Sequence, residues 1–271
     1  MKQIIRQCLK MPVLLSNLFR RNTGAGFHYL IYHRISGDSH FDVDLPLPLF
    51  RRQLEFLAGA RRVMSYNEAL KVLQSGQPVS REAFVLTFDD GYEDFFTHVF
   101  PLLCHLELPA TLFVTTGFVE TGIPYPILHH DSPNARPVNW DMLGEMAESG
   151  LVTVGAHTHT HPILTNLPKT QVEEELVKPL EIFRKRLGIN VQHFAYPKAL
   201  WNQKVEALVT QHYASAVICN ESKATPSHFN PHRIPRIPIR RSDGWLFFLA
   251  KTQGWLKGEE ALYSRLHQFR P

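Results

Sequence analysis

Short apolar runs alternate with segments of helical spacing along most of this chain. An apolar run bounded by polar residues, Gly or Pro is typical of a buried strand. Such runs predict strands over 26–32, 83–88, 110–114, 151–155, 193–197 and 214–219. Apolar residues three and four apart predict helices around 50–57 and over 67–74, 94–106, 140–149, 169–187, 202–211 and 243–269. Strand and helix alternate six or seven times, which favours parallel βα units, either closed as a barrel or open as a sheet.

Three segments depart from this alternation. Residues 62–65 predict a short extra strand. Residues 117–139 contain several prolines and His129-His130 and predict a loop, and loops of this length often border a substrate groove. The proline-punctuated stretch 226–238 carries Arg233 and Arg236, and no strand is assigned to it.

Composition narrows the class of protein. With 271 residues, 44% of them hydrophobic, the chain can bury a large core, and a single domain is expected because α/β barrels often reach this size. The formal charge of +4 suits an anionic membrane surface or an acidic glycan. Lys and Arg are scattered, and no nucleic-acid motif is present, so nucleic acid is not an expected partner. The cysteines Cys8, Cys104 and Cys219 are far apart, which favours a reducing compartment.

The two ends of the chain form separate segments in this interpretation. Residues 1–24 are basic and amphipathic, 25–240 form the α/β unit, and 241–271 form an aromatic, basic helical segment. The apolar part of 1–24 is too short to span a bilayer and lacks the cleavage site of a signal peptide. It is expected to pack on the fold or to lie on a membrane surface, and the C-terminal helix leaves the same two alternatives. The expected location is therefore cytoplasmic or peripheral at a membrane.

Polar groups occupy the ends of four predicted strands. They are His33, the pair Asp89-Asp90, the segment His157-Thr158-His159-Thr160-His161, and Tyr196-Pro197. In parallel α/β folds, functional residues gather at the carboxyl ends of strands. Because all four strand ends carry such polar groups, the sequence predicts one functional site at that end of the strands.

The two outer histidines of the third group have the spacing of metal ligands. If 157–161 forms one helical turn, His157 and His161 face the same way, and His159 faces away as a non-ligand. A carboxylate from the acidic pair would complete a set of two histidines and one carboxylate with open positions. Zinc suits this divalent site, and cobalt, nickel or iron also fit it.

These motifs together resemble the polysaccharide deacetylase family (carbohydrate esterase family 4, the NodB homology domain). Thr87-Phe88-Asp89-Asp90-Gly91 and His-x-x-x-His are similar to its first two motifs, and Phe194-Ala195-Tyr196-Pro197 is similar to the third. Ile31-Tyr32-His33-Arg34 resembles the circularly permuted branch that includes poly-N-acetylglucosamine deacetylases. The resemblance implies a distorted (β/α) barrel with about seven parallel strands.

The resemblance also implies roles for individual residues. Asp89 would be the catalytic base and His33 the acid, protonated near neutrality. Asp90, His157 and His161 would be the metal ligands. Tyr196 and Pro197 would border the substrate, and the N–H of Lys198 would help bind the oxyanion.

The sequence departs from the family's pattern at three places. Ala195 stands where an arginine usually orients the base, and Arg236 is a candidate substitute. Lys198-Ala199 replaces the usual aromatic residue and glycine. No late Leu-x-His motif follows residue 240, so the acid role rests on His33.

Several functions remain open from the sequence. The leading hypothesis is a metal-dependent hydrolase that removes N-acetyl groups from an N-acetylated polysaccharide or glycan intermediate. A second is a deacetylase or deformylase of a lipid-linked sugar, with peripheral membrane contact. A third is an inactive glycan-binding or assembly protein, and a fourth is an amidohydrolase of a small cyclic amide.

Overall fold

Seven parallel strands close into one barrel in the computed structural model, which describes residues 10–16, 25–59, 62–123, 135–220 and 222–256. The strands are Phe27–Tyr32 (β1), Ala83–Phe88 (β2), Ala110–Val114 (β3), Val152–Ala156 (β4), His193–Ala195 (β5), Ser215–Cys219 (β6) and Ile234–Pro238 (β7). Each strand pairs with the next, and β7 pairs with β1 to complete the ring. The prediction of a (β/α) barrel with about seven strands is confirmed.

Helices surround the barrel on its outside. They are Leu47–Gly59 (α1), Tyr66–Gln74 (α2), Phe100–Leu106 (α3), Thr116–Thr121 (α4), Trp140–Glu148 (α5), Lys169–Leu187 (α6), Gln203–His212 (α7) and Gly244–Thr252 (α8). A π-helical turn, Phe95–Val99, leads into α3. Local sequence sets several helix starts, because Ser65 and Glu68 form a capping box on α2 and Asn202 caps α7.

Side-chain alternation divides the apolar residues into a cluster inside the barrel and a larger one between barrel and helices. The inner cluster includes Tyr29, Val85, Phe113 and Ile234. Phe113 fills the space beside Gly155, where a Cβ would lie 2.4 Å from the ring. Because alternate residues share a face, the strand positions that follow this inner cluster point toward the barrel axis, where the site forms.

The structure corrects three local predictions. The proline-rich stretch contains β7. This strand pairs with β6 and β1, although Pro235 and Pro238 have no backbone N–H to donate. Residues 62–65 form only an isolated bridge, from Val63 to Phe84, rather than a strand. The segment 117–139 is not a continuous loop, because α4 covers its beginning, while His129-His130 lie outside the described residues.

The described part of the N-terminal segment packs on α8. Residues 10–16 are helical, and Leu14 is buried with Phe247 and Ala250. Lys10 and Lys251, both buried, lie 2.6 and 3.0 Å from Asp243 Oδ1. None of the described helices is long and apolar enough to cross a membrane. The segments 1–9 and 257–271 lie outside the described residues, so the predicted division at 24 and 240 stays a prediction.

Candidate active site

Asp89 and Arg236 form a buried, two-pronged ion pair at the centre of the site. Arg236 Nη1 donates to Asp89 Oδ1 at 2.6 Å, and Nη2 donates to Oδ2 at 2.7 Å. Arg236 is 1% exposed, and its guanidinium also lies over the Phe113 ring. Burial by itself would raise the pKa of Asp89, but the charge and hydrogen bonds of Arg236, together with the neighbouring His157 and His33, outweigh burial and lower the pKa to about 2. The carboxylate is therefore ionised and held in one orientation.

The side chain of Asp90 points toward the imidazoles of His157 and His161. Its backbone φ is +78°, which turns the chain directly after the inward-facing Asp89. Asp90 Oδ1 lies 3.5 Å from His157 Nε2 and 3.6 Å from His161 Nε2. Tyr92 donates a side-chain hydrogen bond to Asp90. The three ligand atoms of Asp90, His157 and His161 all lie within 4.8 Å of one another.

His157 presents a free lone pair to this cluster. Its Nδ1 lies 2.8 Å from the carbonyl oxygen of Ala195, which can only accept, so Nδ1 carries the proton and Nε2 does not. Burial lowers the pKa of His157 and lowers that of His161 to about 2, so both rings are neutral. Neutral imidazoles whose other nitrogen is held by the protein are typical metal ligands.

The histidine segment is an irregular loop rather than the helical turn expected from the spacing. Thr158 and His161 have φ values of +66° and +58°, and Thr158 Oγ1 accepts from the His161 N–H at 2.9 Å. Glu175 on α6 accepts from the N–H groups of His159 and Thr160, both at 2.8 Å. The imidazoles of His157 and His161 meet because these hydrogen bonds shape the loop. The prediction that a helical turn brings them together was wrong.

His159 takes no part in the cluster. Its Nδ1 lies 3.0 Å from Thr116 Oγ1, and its carbonyl accepts from the Gly117 N–H at 2.7 Å. A Cβ at position 117 would lie 2.5 Å from that carbonyl oxygen, so the close approach needs glycine.

His33 lies in the same cavity as Asp89, and its pKa is lower than that of an exposed imidazole. Burial lowers the pKa of His33 to about 4, despite the opposing charge of Asp89. The ring is therefore neutral at pH 7, which differs from the expectation that it is protonated near neutrality.

The turn after β5 brings its backbone to the cavity. Lys198 and Ala199 both have left-handed backbone conformations, with φ of +54° and +55°. The Ala199 N–H bonds the Tyr196 carbonyl at 3.0 Å, whereas the Lys198 N–H has no acceptor among the described residues. The Tyr196 ring is buried against Phe194 in the outer core, so it supports the cavity wall.

These groups line one cavity of about 570 Å³. It contains His33, Asp89, Asp90, His157, His161, Tyr196, Lys198 and Arg236 from the predicted set, together with Phe41, Tyr92, Cys219 and Arg240. Pro197 is buried in the turn between Tyr196 and Lys198.

Three supporting residues were missed from the sequence. Tyr92 follows the Asp-Asp-Gly motif by one position, and this proximity was the available signal. Arg240 lies two residues after β7 and lines the cavity, and the strand that places it there was not predicted. Glu175 is one of several acidic residues on α6, and no local pattern distinguishes it.

The donor set fits a divalent metal. Two of the three donor separations, 3.5 and 3.6 Å, are close to the roughly 3.4 Å between ligands of a tetrahedral ion with bonds of about 2.1 Å. One carboxylate and two imidazoles leave a position open. Both oxygens of the neighbouring Asp89 are already bonded to Arg236. Asp90, His157 and His161 are therefore the candidate ligands.

The buried ion pair predicts a stability effect. Arg236→Gln leaves the Asp89 carboxylate buried without its partner, so we expect the free energy of unfolding to fall by about 3–5 kcal/mol. Urea denaturation of the purified variant measures it. Asp89→Asn/Arg236→Gln removes both charges and is expected to recover part of the loss. Equal stability of Arg236→Gln and the unmodified protein would contradict the buried pairing.

The fold and the site define a (β/α) barrel with a candidate metal cluster at the carboxyl ends of its strands. Residues 76–217, slightly more than half of the chain, match the family model for polysaccharide deacetylase. The chain belongs to the polysaccharide deacetylase family. The resemblance carried by the Asp-Asp and His-x-x-x-His motifs is thereby confirmed.

Curated relatives agree with this family. The chain is 29% identical over 139 residues to the poly-β-1,6-N-acetyl-D-glucosamine N-deacetylase of Escherichia coli K12, covering 49% of this chain and 20% of the relative. It is 26% identical over 200 residues to the protein of the same name from Staphylococcus epidermidis, covering 70% of this chain and 66% of the relative. The chain thus spans a fifth of the first relative and just under two thirds of the second.

Solved structures share the fold. The Streptococcus pyogenes deacetylase PplD, in complex with acetate, has a TM-score of 0.72 at 22% identity, covering 85% of this chain and 99% of that one. IcaB from Ammonifex degensii has a TM-score of 0.72 at 24% identity, covering 85% of this chain and 98% of that one.

Proposed function

We propose that the protein is a metal-dependent hydrolase that removes N-acetyl groups from an N-acetylated polysaccharide or glycan intermediate. The observation that carries the proposal is the meeting of Asp90, His157 and His161 beside the Arg236-bound Asp89 in one cavity. Family membership supports the reaction type, and the names of the E. coli and S. epidermidis relatives support the substrate class.

Asp90, His157 and His161 would hold the divalent ion, with zinc the first choice and cobalt, nickel or iron as alternatives. When bound, the ion supplies an acidified water and polarises the amide carbonyl. Tyr92 holds Asp90, and the Ala195 carbonyl holds His157, so these ligands are oriented by the chain itself.

Asp89 acts as the base in this proposal. Its low pKa keeps it ionised at neutral pH, in the form that accepts a proton from the attacking water. Arg236 bonds both of its oxygens and so directs the carboxylate at the cavity. In this arrangement Arg236, on β7, orients the base. The residue at the usual position of the orienting arginine, on β5, is Ala195 and cannot do so.

The Lys198 N–H acts as an oxyanion donor. It lacks an acceptor among the described residues, and its residue lines the cavity. A well-aimed donor of this kind contributes about 3 kcal/mol to transition-state stabilisation. The left-handed conformation of Lys198 is what turns this peptide group out of the regular bonding of the turn.

His33 acts as the acid that protonates the leaving amine. Because its low pKa makes it neutral at pH 7, the proton that it delivers must be acquired during the reaction. We expect His33→Ala to lower kcat for acetate release about 10²–10⁴-fold, the usual loss for one general acid. An unchanged rate, with the variant folded and its metal content normal, would place the acid elsewhere.

The proposed function is tested by acetate release from a panel of N-acetylated oligosaccharides and lipid-linked sugars. Purified protein is assayed as prepared, after chelation, and after return of zinc, cobalt, nickel or iron. We expect release that stops on chelation and returns with a divalent ion. Absence of acetate from every substrate at full metal content would refute the proposal. That result would instead favour an inactive glycan-binding protein, which the assembled cluster does not support.

A further inference from the structure

The loop after β1 brings apolar side chains to the border of the active-site cavity. Phe41 and Val43, both half-buried, line it together with the groups assigned to the reaction. Neither side chain has an atom that binds a metal or moves a proton. Ligand pockets usually combine a few polar groups with apolar and aromatic side chains that contact the rest of the ligand. A sugar ring has such a remainder, because its faces are made of C–H bonds.

Hydrogen bonds at position 42 direct the residues on either side of it. The Asp42 carboxylate accepts from the N–H of Ser242 at 2.8 Å and from its Oγ at 2.9 Å. The Asp42 carbonyl accepts from the Arg241 N–H at 2.8 Å. Because Asp42 is tied to this neighbouring segment, Phe41 and Val43 leave the chain toward the cavity that they line.

A buried carboxylate holds the same loop from inside. Asp44 is fully buried. Its oxygens accept from the backbone N–H groups of Ser36, Gly37 and Ser39, at 3.1, 2.7 and 2.9 Å. The Asp44 N–H in turn donates to the Phe41 carbonyl at 3.1 Å. The loop is therefore ordered before a substrate binds, so contacts made by Phe41 cost little conformational entropy.

Phe41 lies one side chain away from the candidate metal cluster. It packs against Tyr92, and Tyr92 donates a side-chain hydrogen bond to Asp90. A half-buried phenylalanine often serves only the packing of its own loop, and the contact with Tyr92 is of that kind. The rest of the Phe41 ring borders the cavity. A sugar that lies on this ring would have its acetamido group beside the cluster.

We propose that Phe41, supported by Val43, binds the C–H face of the sugar ring that carries the acetamido group. Phe41 is then a specificity-determining residue for a pyranose substrate. This inference rests on the proposed function and specifies how its substrate is bound. The face of an aromatic ring is partly negative and the hydrogens of a sugar are partly positive, so stacking adds to the burial of the two apolar surfaces.

The experiment measures kcat and KM for acetate release from a neutral N-acetylhexosamine oligosaccharide. The proteins compared are the unmodified protein, Phe41→Ala, Phe41→Leu and Phe41→Tyr, with metal content measured on each. Phe56→Leu is the matched control, because it removes a phenyl ring that is 39% exposed on α1, outside the cavity. Calorimetric binding of the same oligosaccharide to Asp89→Asn, with and without Phe41→Ala, gives a readout independent of turnover.

We expect Phe41→Ala to raise KM about five- to twentyfold, because both apolar contact area and stacking are lost. Its kcat and metal content should stay close to those of the unmodified protein. Phe41→Leu keeps an apolar side chain without a ring and should raise KM about two- to tenfold, the value of an aromatic contact beyond its area. Phe41→Tyr and Phe56→Leu should keep KM. Binding to Asp89→Asn should weaken when Phe41→Ala is added.

Three results overturn the inference while leaving the proposed function intact. One is acetate release with the same KM in Phe41→Ala and the unmodified protein. Another is a KM that rises as much in Phe41→Tyr as in Phe41→Ala. The third is a fall in kcat and metal content at unchanged KM, which would make Phe41 a structural support for Tyr92 and Asp90. Absence of release from the unmodified protein would count against the proposed function itself, and the binding comparison would then decide the role of Phe41.

Discussion

Replacement of Asp89 by asparagine is expected to lower kcat for acetate release by at least about 10²–10⁴-fold while the divalent ion stays bound. An amide cannot accept the proton that the carboxylate takes in the proposed reaction. The metal should remain, because both oxygens of Asp89 are bonded to Arg236 and the ligand set comes from Asp90, His157 and His161. Activity and metal content are measured on the same sample.

Asp89→Asn has a second effect that the experiment must separate. It leaves the Arg236 guanidinium buried beside a neutral amide, so we also expect a lower free energy of unfolding. Asp89→Asn/Arg236→Gln removes both charges and serves as the control for stability. Loss of the metal from a folded Asp89→Asn protein would instead make Asp89 a ligand and reverse the assigned roles.

His161→Ala is expected to abolish tight metal binding and activity together. His161 supplies one of three donor atoms, and two remaining donors hold a divalent ion much more weakly. Metal stoichiometry after dialysis is the direct measurement. Fold loss is a small concern, because the loop is also held by Thr158 and Glu175, which do not depend on the His161 ring.

His159→Ala is the matched control for this prediction. It removes an imidazole from the same loop, but one that contacts Thr116 rather than the cluster. We expect His159→Ala to keep its metal. Unchanged stoichiometry in His161→Ala, or equal metal loss in both variants, would contradict the ligand assignment.

The barrel was predictable to a large degree because burial on strands and helices leaves a local pattern. The predicted limits of 83–88, 110–114 and 169–187 coincide with β2, β3 and α6. The failure at β7 has an equally local cause. Pro235 and Pro238 give the strand the appearance of a loop, and only pairing with β6 and β1 makes it part of the sheet.

The site was predictable in its residues but not in its geometry. The spacing of His157 and His161 singled out the right pair of side chains, yet the loop that joins them depends on Glu175, a residue of a distant helix. His33 was taken as an ordinary imidazole, because burial cannot be read from a single strand exit. Its low pKa follows from the surrounding barrel.

The amino-acid sequence by itself determined where six of the seven strands lie, which polar residues follow them, and the family whose motifs those residues form. The tertiary structure alone decided that Arg236 meets Asp89 across 147 positions of chain and that Lys198 and Arg240 border the same cavity. The physical reason is that the spacing of apolar and polar residues, from which strands and helices are predicted, relates near neighbours in the chain. The partners of a charge inside a barrel depend on strand register and on the pairing of the first strand with the last.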